Sequence, residues 1–441
     1  MQPKQISEIL AMETSESKHR QIFWRAIRRL CVTAAAAAAF AITGVASDAN
    51  AGAGQRNEHW VATWGAALHQ PDLGVPGLAN AGFNNQTLRQ IVHISAGGRQ
   101  VRVQLSTFGA RALAIGSASV ALRATGSAIV AGSDRPLTFG GSPSITIPPG
   151  APVFSDLVDF DVPPLSDVAV SIFVPGSTGP ASWHFQARQT AYVSTPGDFT
   201  ASIALPVDSS VPAALAWFWL AGLEVTASRQ TGGIVAFGES VVDGVGSTAD
   251  ANNRWPDYLA RRLMAQPGNQ KMGVVNAGLA GNRLLHDSLG PNGLSRFERD
   301  VLSRAGVTHV IVQVGGNDIF TLNPAEEVTV DQIIQGHRQL LNRAHANRVK
   351  VYGCTLTPVE GFLLPGTPLA VFSPVREAKR QTLNAWIRTS GEYDAVLDFD
   401  SVLRDPNSPS RMRADYDSGD HGHPNDAGYK AMADIIDLRL F

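Results

Sequence analysis

The sequence predicts a doubly wound α/β domain built on a five-stranded parallel sheet, preceded by an all-β sandwich or jelly-roll domain. Three observations carry this. From about Trp60 to Ala227, short alternating runs are separated by Gly, Pro, Ser and Asp clusters. After Gly232 the runs become apolar without alternation, and an amphipathic helical pattern follows them. Strands buried on one face alternate, whereas strands of a parallel sheet covered on both faces do not.

The N-terminal segment precedes both domains. Lys18, Arg20, Arg25, Arg28 and Arg29 lead into the apolar run LCVTAAAAAAFAITGVA and then into Ala49-Asn50-Ala51. A basic region, an apolar stretch and a small-residue cleavage site predict a signal peptide over residues 1–51. The expectation is export, with a periplasmic or extracellular mature protein. An alanine run is only weakly hydrophobic, so no stable membrane anchor is expected. The Arg28-Arg29 pair leaves both general and twin-arginine export open. Of the two cysteines, Cys31 lies in this segment, so Cys354 is expected to stand alone as a packed strand residue in VKVYGCTL, with no internal disulfide.

Residues 57–228 form the predicted all-β accessory domain. Its strand candidates are QIVHIS, RQVRVQLS, ASVALR, SITIP, VAVSIFVP and WFWLAGLEVTA, with GGSPS, PPGAP and VPGSTGP as turns. Trp60, Trp64, Trp183, Trp217 and Trp219 read as core or interface aromatics, with sugar stacking as the alternative. WFWL is expected to put Trp217 and Trp219 on one strand face.

Residues 229–441 form the predicted catalytic domain. The apolar runs IVAF, GVVNA, HVIVQV, VKVYGC and AVLDF alternate with helical patterns such as DQIIQGHRQLLNRAHAN and PVREAKRQTLNAWIRTSG. This is the flavodoxin-like arrangement, whose ligands bind beyond the carboxyl ends of the strands where strand order reverses. With a hydrophobic fraction of 44%, a charged fraction of 17% and a net charge of -2, the chain has no basic surplus for nucleic acid. No segment specifies an oligomeric state.

Residues suited to one chemistry follow these strands. Gly238-Glu239-Ser240 follows the first, Ala277 to Asn282 the second and Gly315-Gly316-Asn317-Asp318 the third, while SGDHGHPNDAGY lies near the C-terminus. A serine hydroxyl needs a base to attack an acyl carbon. His423 is the candidate base and Asp420 the residue that fixes its ring. The developing oxyanion needs donors already in place, for which the candidates are the backbone N–H groups of Ser240 and Gly281 and the side-chain amide of Asn317.

In these blocks, GESVVDG, NAGLAGN, GGND and DHGHP taken in order, the chain resembles the SGNH hydrolases, also called GDSL lipases or esterases. The resemblance spans about the last 210 of 441 residues, roughly half the chain. It implies the SGNH hydrolase fold, with Ser240 as nucleophile, Asp420 as orienter, His423 as base, and Ser240, Gly281 and Asn317 in the oxyanion hole. It also implies a secreted serine esterase acting on small-molecule or polysaccharide esters, without metal or organic cofactor. The upstream β region is similar, more loosely, to the N-terminal domain of larger secreted bacterial members. The family's Gly-Asp-Ser is Gly238-Glu239-Ser240 here, and Glu239 is expected to support the geometry without entering the chemistry.

Other readings compete. The seven residues DHGHPND offer Asp420, His421, His423 and Asp426, and alternation in an extended segment would put both histidines on one side as metal ligands. That would make a metal-dependent hydrolase. A non-catalytic extracellular carbohydrate-binding protein retaining the hydrolase fold is the alternative from another class. Asp243 and Asp318 read as structural turn residues, and Asn425 or Asp426 as the cap of the last helix. Residues 359–374, VEGFLLPGTPLAVFSP, read as a lid or acyl pocket or as a packed connection.

Overall fold

Strand alternation in the N-terminal half becomes two antiparallel sheets. A computed structural model describes residues 59–71, 78–108, 111–211, 214–267 and 272–441. The signal-peptide expectation for residues 1–51 lies outside the described residues. One sheet runs in the order His59–Gly65, Leu220–Ala227, Gly98–Ser106, Val158–Val162; the other runs Ala191–Pro196, Gln86–His93, Asp167–Val174, Ser117–Thr125, Ala128–Ile129. In GRQVRVQLS alternate residues Val101, Val103 and Leu105 are fully buried, and with Leu88, Val92, Val168 and Val170 they fill the space between the sheets. The period of two places those side chains on one face.

The WFWL run is not one continuous strand. Trp217–Phe218 pairs with Trp183–His184, and Leu220–Ala227 joins the other sheet. Trp219 between them sits at φ 56°, a left-handed conformation that ends the pleat. Trp217 and Trp219 are both buried, Trp217 edge-on to Trp64 and Trp219 edge-on to Phe83. Trp64 and Trp183 belong to the same core, so these four rings form no surface platform for sugars.

The second half holds a five-stranded parallel sheet, ordered Gly273–Gly278, Gly233–Gly238, Val307–Gln313, Lys350–Cys354, Ala395–Leu397. The strand Gly233–Gly238, first in chain order, shows why the runs lack alternation. Val235 and Phe237 pack with Ile333 and Leu340 of the helix Val330–Ala346 and with Leu383 of Pro374–Thr389. Ile234 and Ala236 pack on the opposite face with Leu259 of Trp255–Ala265 and Met432 of Asp426–Asp434. Both faces are covered, so both need apolar side chains. The fifth strand is shorter than AVLDF because the Asp398 side chain accepts the Ser401 N–H and caps the helix Phe399–Leu403. Cys354 is a buried free thiol in the fourth strand.

The two halves pack together within one compact unit, Asn57–Phe441. Ala62 N–H donates to the Ala305 carbonyl at 2.9 Å, and Val274 N–H to Ser95 Oγ at 2.8 Å. Arg304 reaches across to Gln104 Oε1 and to the Ala221 carbonyl. No helix among the described residues is long and apolar enough to cross a membrane.

Candidate active site

The first parallel strand ends at Gly238, Glu239 stays extended, and Ser240 opens a four-residue helical turn to Asp243. A first-turn amide has no intrahelical acceptor, so the Ser240 N–H is presented at the strand end. His423 lies in the loop before the final helix, whose cap is Asn425, with its side chain accepting from Gly428 N–H. His423 Nε2 stands 2.8 Å from Ser240 Oγ, and its Nδ1 stands 2.6 Å from Asp420 Oδ2. The other Asp420 oxygen accepts the N–H groups of Gly422 and His423 at 2.9 and 2.8 Å. Partial burial disfavours the Asp420 charge, but these bonds and the His423 ring outweigh it and hold the carboxyl well below its usual range.

Ser240, Gly281, Asn317 and His423 line one cavity of about 360 Å³. Gly281 adopts φ 72°, and a Cβ there would meet Leu289 at 2.6 Å, so the turn requires glycine. Asn317 lies in the short helix Gly316–Ile319; its side-chain amide donates one hydrogen to the Asn282 carbonyl at 2.9 Å. An amide carries two such hydrogens, which leaves a second donor. Thus four of the five sequence candidates border the same space, and the fifth, Asp420, lies behind His423.

Glu239 ties two of these segments together. Its carboxylate accepts from Gly315 N–H at 2.7 Å and from Asn317 N–H at 3.2 Å. Gly315, at φ 105°, turns the chain so that its amide points back to the serine segment. Burial raises the Glu239 pKa to about 8, with the Asp318 charge acting in the same direction and the backbone amides opposing. Asp318 is also raised by burial; its oxygens accept the Leu284 and Leu285 N–H groups at 2.6 and 3.0 Å. Asp243 is likewise a bracing residue, accepting Ala280 N–H at 2.8 Å.

The metal reading meets a different geometry. His421 has φ 65°, so the segment is not extended, and its Nδ1 pairs with Asp417 at 2.6 Å. Among the described residues no three His, Cys, Asp or Glu side chains are grouped to hold a metal ion. Within residues 359–374, Val359, Phe362, Leu364 and Val371 line the cavity, and Phe362 meets the His423 ring edge-on at 5.3 Å.

Two bracing residues are absent from the sequence reading. Arg296 is fully buried and donates to the carbonyls of Gly238 and Ala277 and to Asn282 Oδ1, each at 2.8 Å. It binds the serine and glycine blocks to one guanidinium, and Asp300 at 3.1 Å balances its charge. The second is His184 of the β half, bonded to Asp243. Arg296 sits in LSRFERDVLSRAG, which reads only as an amphipathic helix, and His184 has no motif around it.

Residues 236–431 match the model of the GDSL-like Lipase/Acylhydrolase family. A search of curated proteins gives no match. Among solved structures, the chain is similar to a GDSL-like lipase from Bacteroides thetaiotaomicron, at 19% identity and TM-score 0.35, over 46% of this chain and 84% of that one. It is similar to the M. smegmatis aryl esterase at 20% identity and TM-score 0.36, over 46% and 94% of the two chains. A carbohydrate acetylesterase from Sinorhizobium meliloti aligns at 15% identity and TM-score 0.35, over 46% and 94%.

Proposed function

We propose that the chain, whose residues 236–431 match the GDSL-like lipase/acylhydrolase family model, is an exported serine esterase that hydrolyses carboxylic esters through an acyl-enzyme on Ser240. One observation carries the mechanism: Asp420, His423 and Ser240 form a continuous hydrogen-bonded line, 2.6 and then 2.8 Å, that ends in a cavity.

The steps follow from that line. The ester carbonyl enters beside Ser240, and His423 Nε2 takes the hydroxyl proton as Oγ attacks. Asp420 keeps the Nδ1–H directed at itself, so Nε2 presents its lone pair to the serine, and it stabilises the imidazolium that forms. Negative charge collects on the former carbonyl oxygen, facing the N–H groups of Ser240 and Gly281 and the Asn317 amide. Collapse expels the alcohol, protonated by His423. Water, deprotonated by the same ring, then releases the acid and restores the serine.

The cavity also bears on the substrate. Phe320, Leu356, Phe362 and Val371 give it an apolar wall suited to an acyl chain. The alcohol is a small molecule or a hydroxyl of a polysaccharide.

Hydrolysis of p-nitrophenyl acetate and longer esters by wild type and Ser240→Ala tests the reading. Wild type is expected to turn over, and Ser240→Ala to lose at least about a thousandfold in kcat. Equal rates for the two proteins would sink the nucleophile assignment. Retention of activity after chelator treatment is expected, and its loss would favour a metal-dependent hydrolase.

A further inference from the structure

The β half reaches the candidate site through one buried histidine. His184 is in the short strand Trp183–His184, is 2% exposed and lies against the Trp217 ring, 5.5 Å between centroids. Its Nδ1 faces the Ala67 carbonyl at 3.0 Å, and its Nε2 faces Asp243 Oδ1 at 2.8 Å. The Ala67 carbonyl can only accept, so Nδ1 carries a proton, and Nε2 and the Asp243 carboxyl share the second hydrogen bond. Burial opposes a charge on the ring, but Asp243 and the Ala67 carbonyl overcome it and raise the His184 pKa.

Asp243 is placed to pass this restraint on. It closes the helical turn that begins at Ser240. Its second oxygen accepts the Ala280 N–H at 2.8 Å, one residue before Gly281. The carboxylate therefore bridges the segment carrying the hydroxyl and the turn carrying an oxyanion donor, and its orientation is set from the other half of the molecule.

We propose that His184 is a positioning residue for ester hydrolysis: through Asp243 it fixes the Ala280–Gly281 turn so that the Gly281 N–H meets the tetrahedral oxyanion. This rests on the serine-esterase reading above. The β half then completes the site by holding one donor in register. Preorganised donors contribute because they need not reorient as charge develops, and a displacement of about 1 Å costs up to roughly a hundredfold in rate.

The test compares full-length wild type, His184→Ala, Asp243→Ala and the double variant on p-nitrophenyl acetate, with active sites counted by fluorophosphonate titration. A boronic acid serves as the tetrahedral mimic. His184→Ala is expected to lower kcat per active site about ten- to a hundredfold, to leave KM within about threefold, and to weaken the boronic acid by a factor similar to the kcat loss. The double variant is expected to be no slower than Asp243→Ala, because His184 acts through that carboxylate. A normal kcat per site in His184→Ala, or fully multiplicative losses, would overturn the proposal.

Should His184→Ala yield no folded protein, Asp243→Asn decides. Its amide oxygen accepts from Ala280 and its amide nitrogen donates to a neutral His184, so kcat is expected within about tenfold of wild type. A loss equal to that of Asp243→Ala would overturn the linkage. Absence of esterase activity in wild type would instead remove the serine-esterase reading itself.

Discussion

The Gly315 N–H donates to the Glu239 carboxylate at 2.7 Å, which fastens the segment before Ser240 to the segment before Asn317. The family's aspartate position thus holds a longer side chain that spans the gap between two strand ends.

This contact has a pH signature. The folded protein raises Glu239 from 4.5 to about 8, chiefly by burial. A raised folded value means that the native state holds the proton more tightly than the unfolded chain. The associated stability is complete below the unfolded value and is lost as pH rises through the folded one. Glu239→Gln is expected to flatten the fall in thermal stability between about pH 5 and 8, by an amount on the order of a few kcal/mol. Thermal unfolding across that range checks this; an unchanged slope would mean that Glu239 is ionised throughout.

Asp420→Asn probes the other end of the constellation. Asp420 has a depressed pKa, so its stabilising charge persists above its unfolded value and is lost only as pH falls through the folded one. The asparagine amide permits the wrong ring tautomer of His423. The expected result at neutral pH is a loss in kcat of about a thousandfold or more, with little change in KM. A loss below about tenfold in steady-state hydrolysis would show that the ring is oriented by something else.

Phe362→Ala opens the apolar wall beside His423. The kcat/KM ratio of p-nitrophenyl octanoate to acetate is expected to rise about tenfold, because discrimination in an apolar pocket follows the space available to methylenes. Equal losses on both esters would limit Phe362 to supporting the histidine ring.

Sequence carried the sheet and the cluster of Ser240, Asp420 and His423 because both obey local rules. IVAF and HVIVQV lack alternation since each is covered on both faces, and glycine marks the turn at Gly281 where only a left-handed backbone fits. WFWL misled because its period of two gives no warning that Trp219 leaves the β region. The pairing of His421 with His423 failed for the same reason, a left-handed residue inside an apparently extended run. Arg296 and His184 were illegible because their roles depend on partners distant in sequence, such as Gly238 and Asp243.

The separation of 183 residues between Ser240 and His423 has a consequence for how the chain matures. Closing so long a loop costs entropy before its contacts form, so this pairing is expected to follow the assembly of the sheet. During refolding, far-ultraviolet circular dichroism is expected to recover before turnover does. Regained hydrolysis would then time the docking of the final helix, and a nascent chain that has emerged only through the fifth strand would hold Ser240 without His423 beside it.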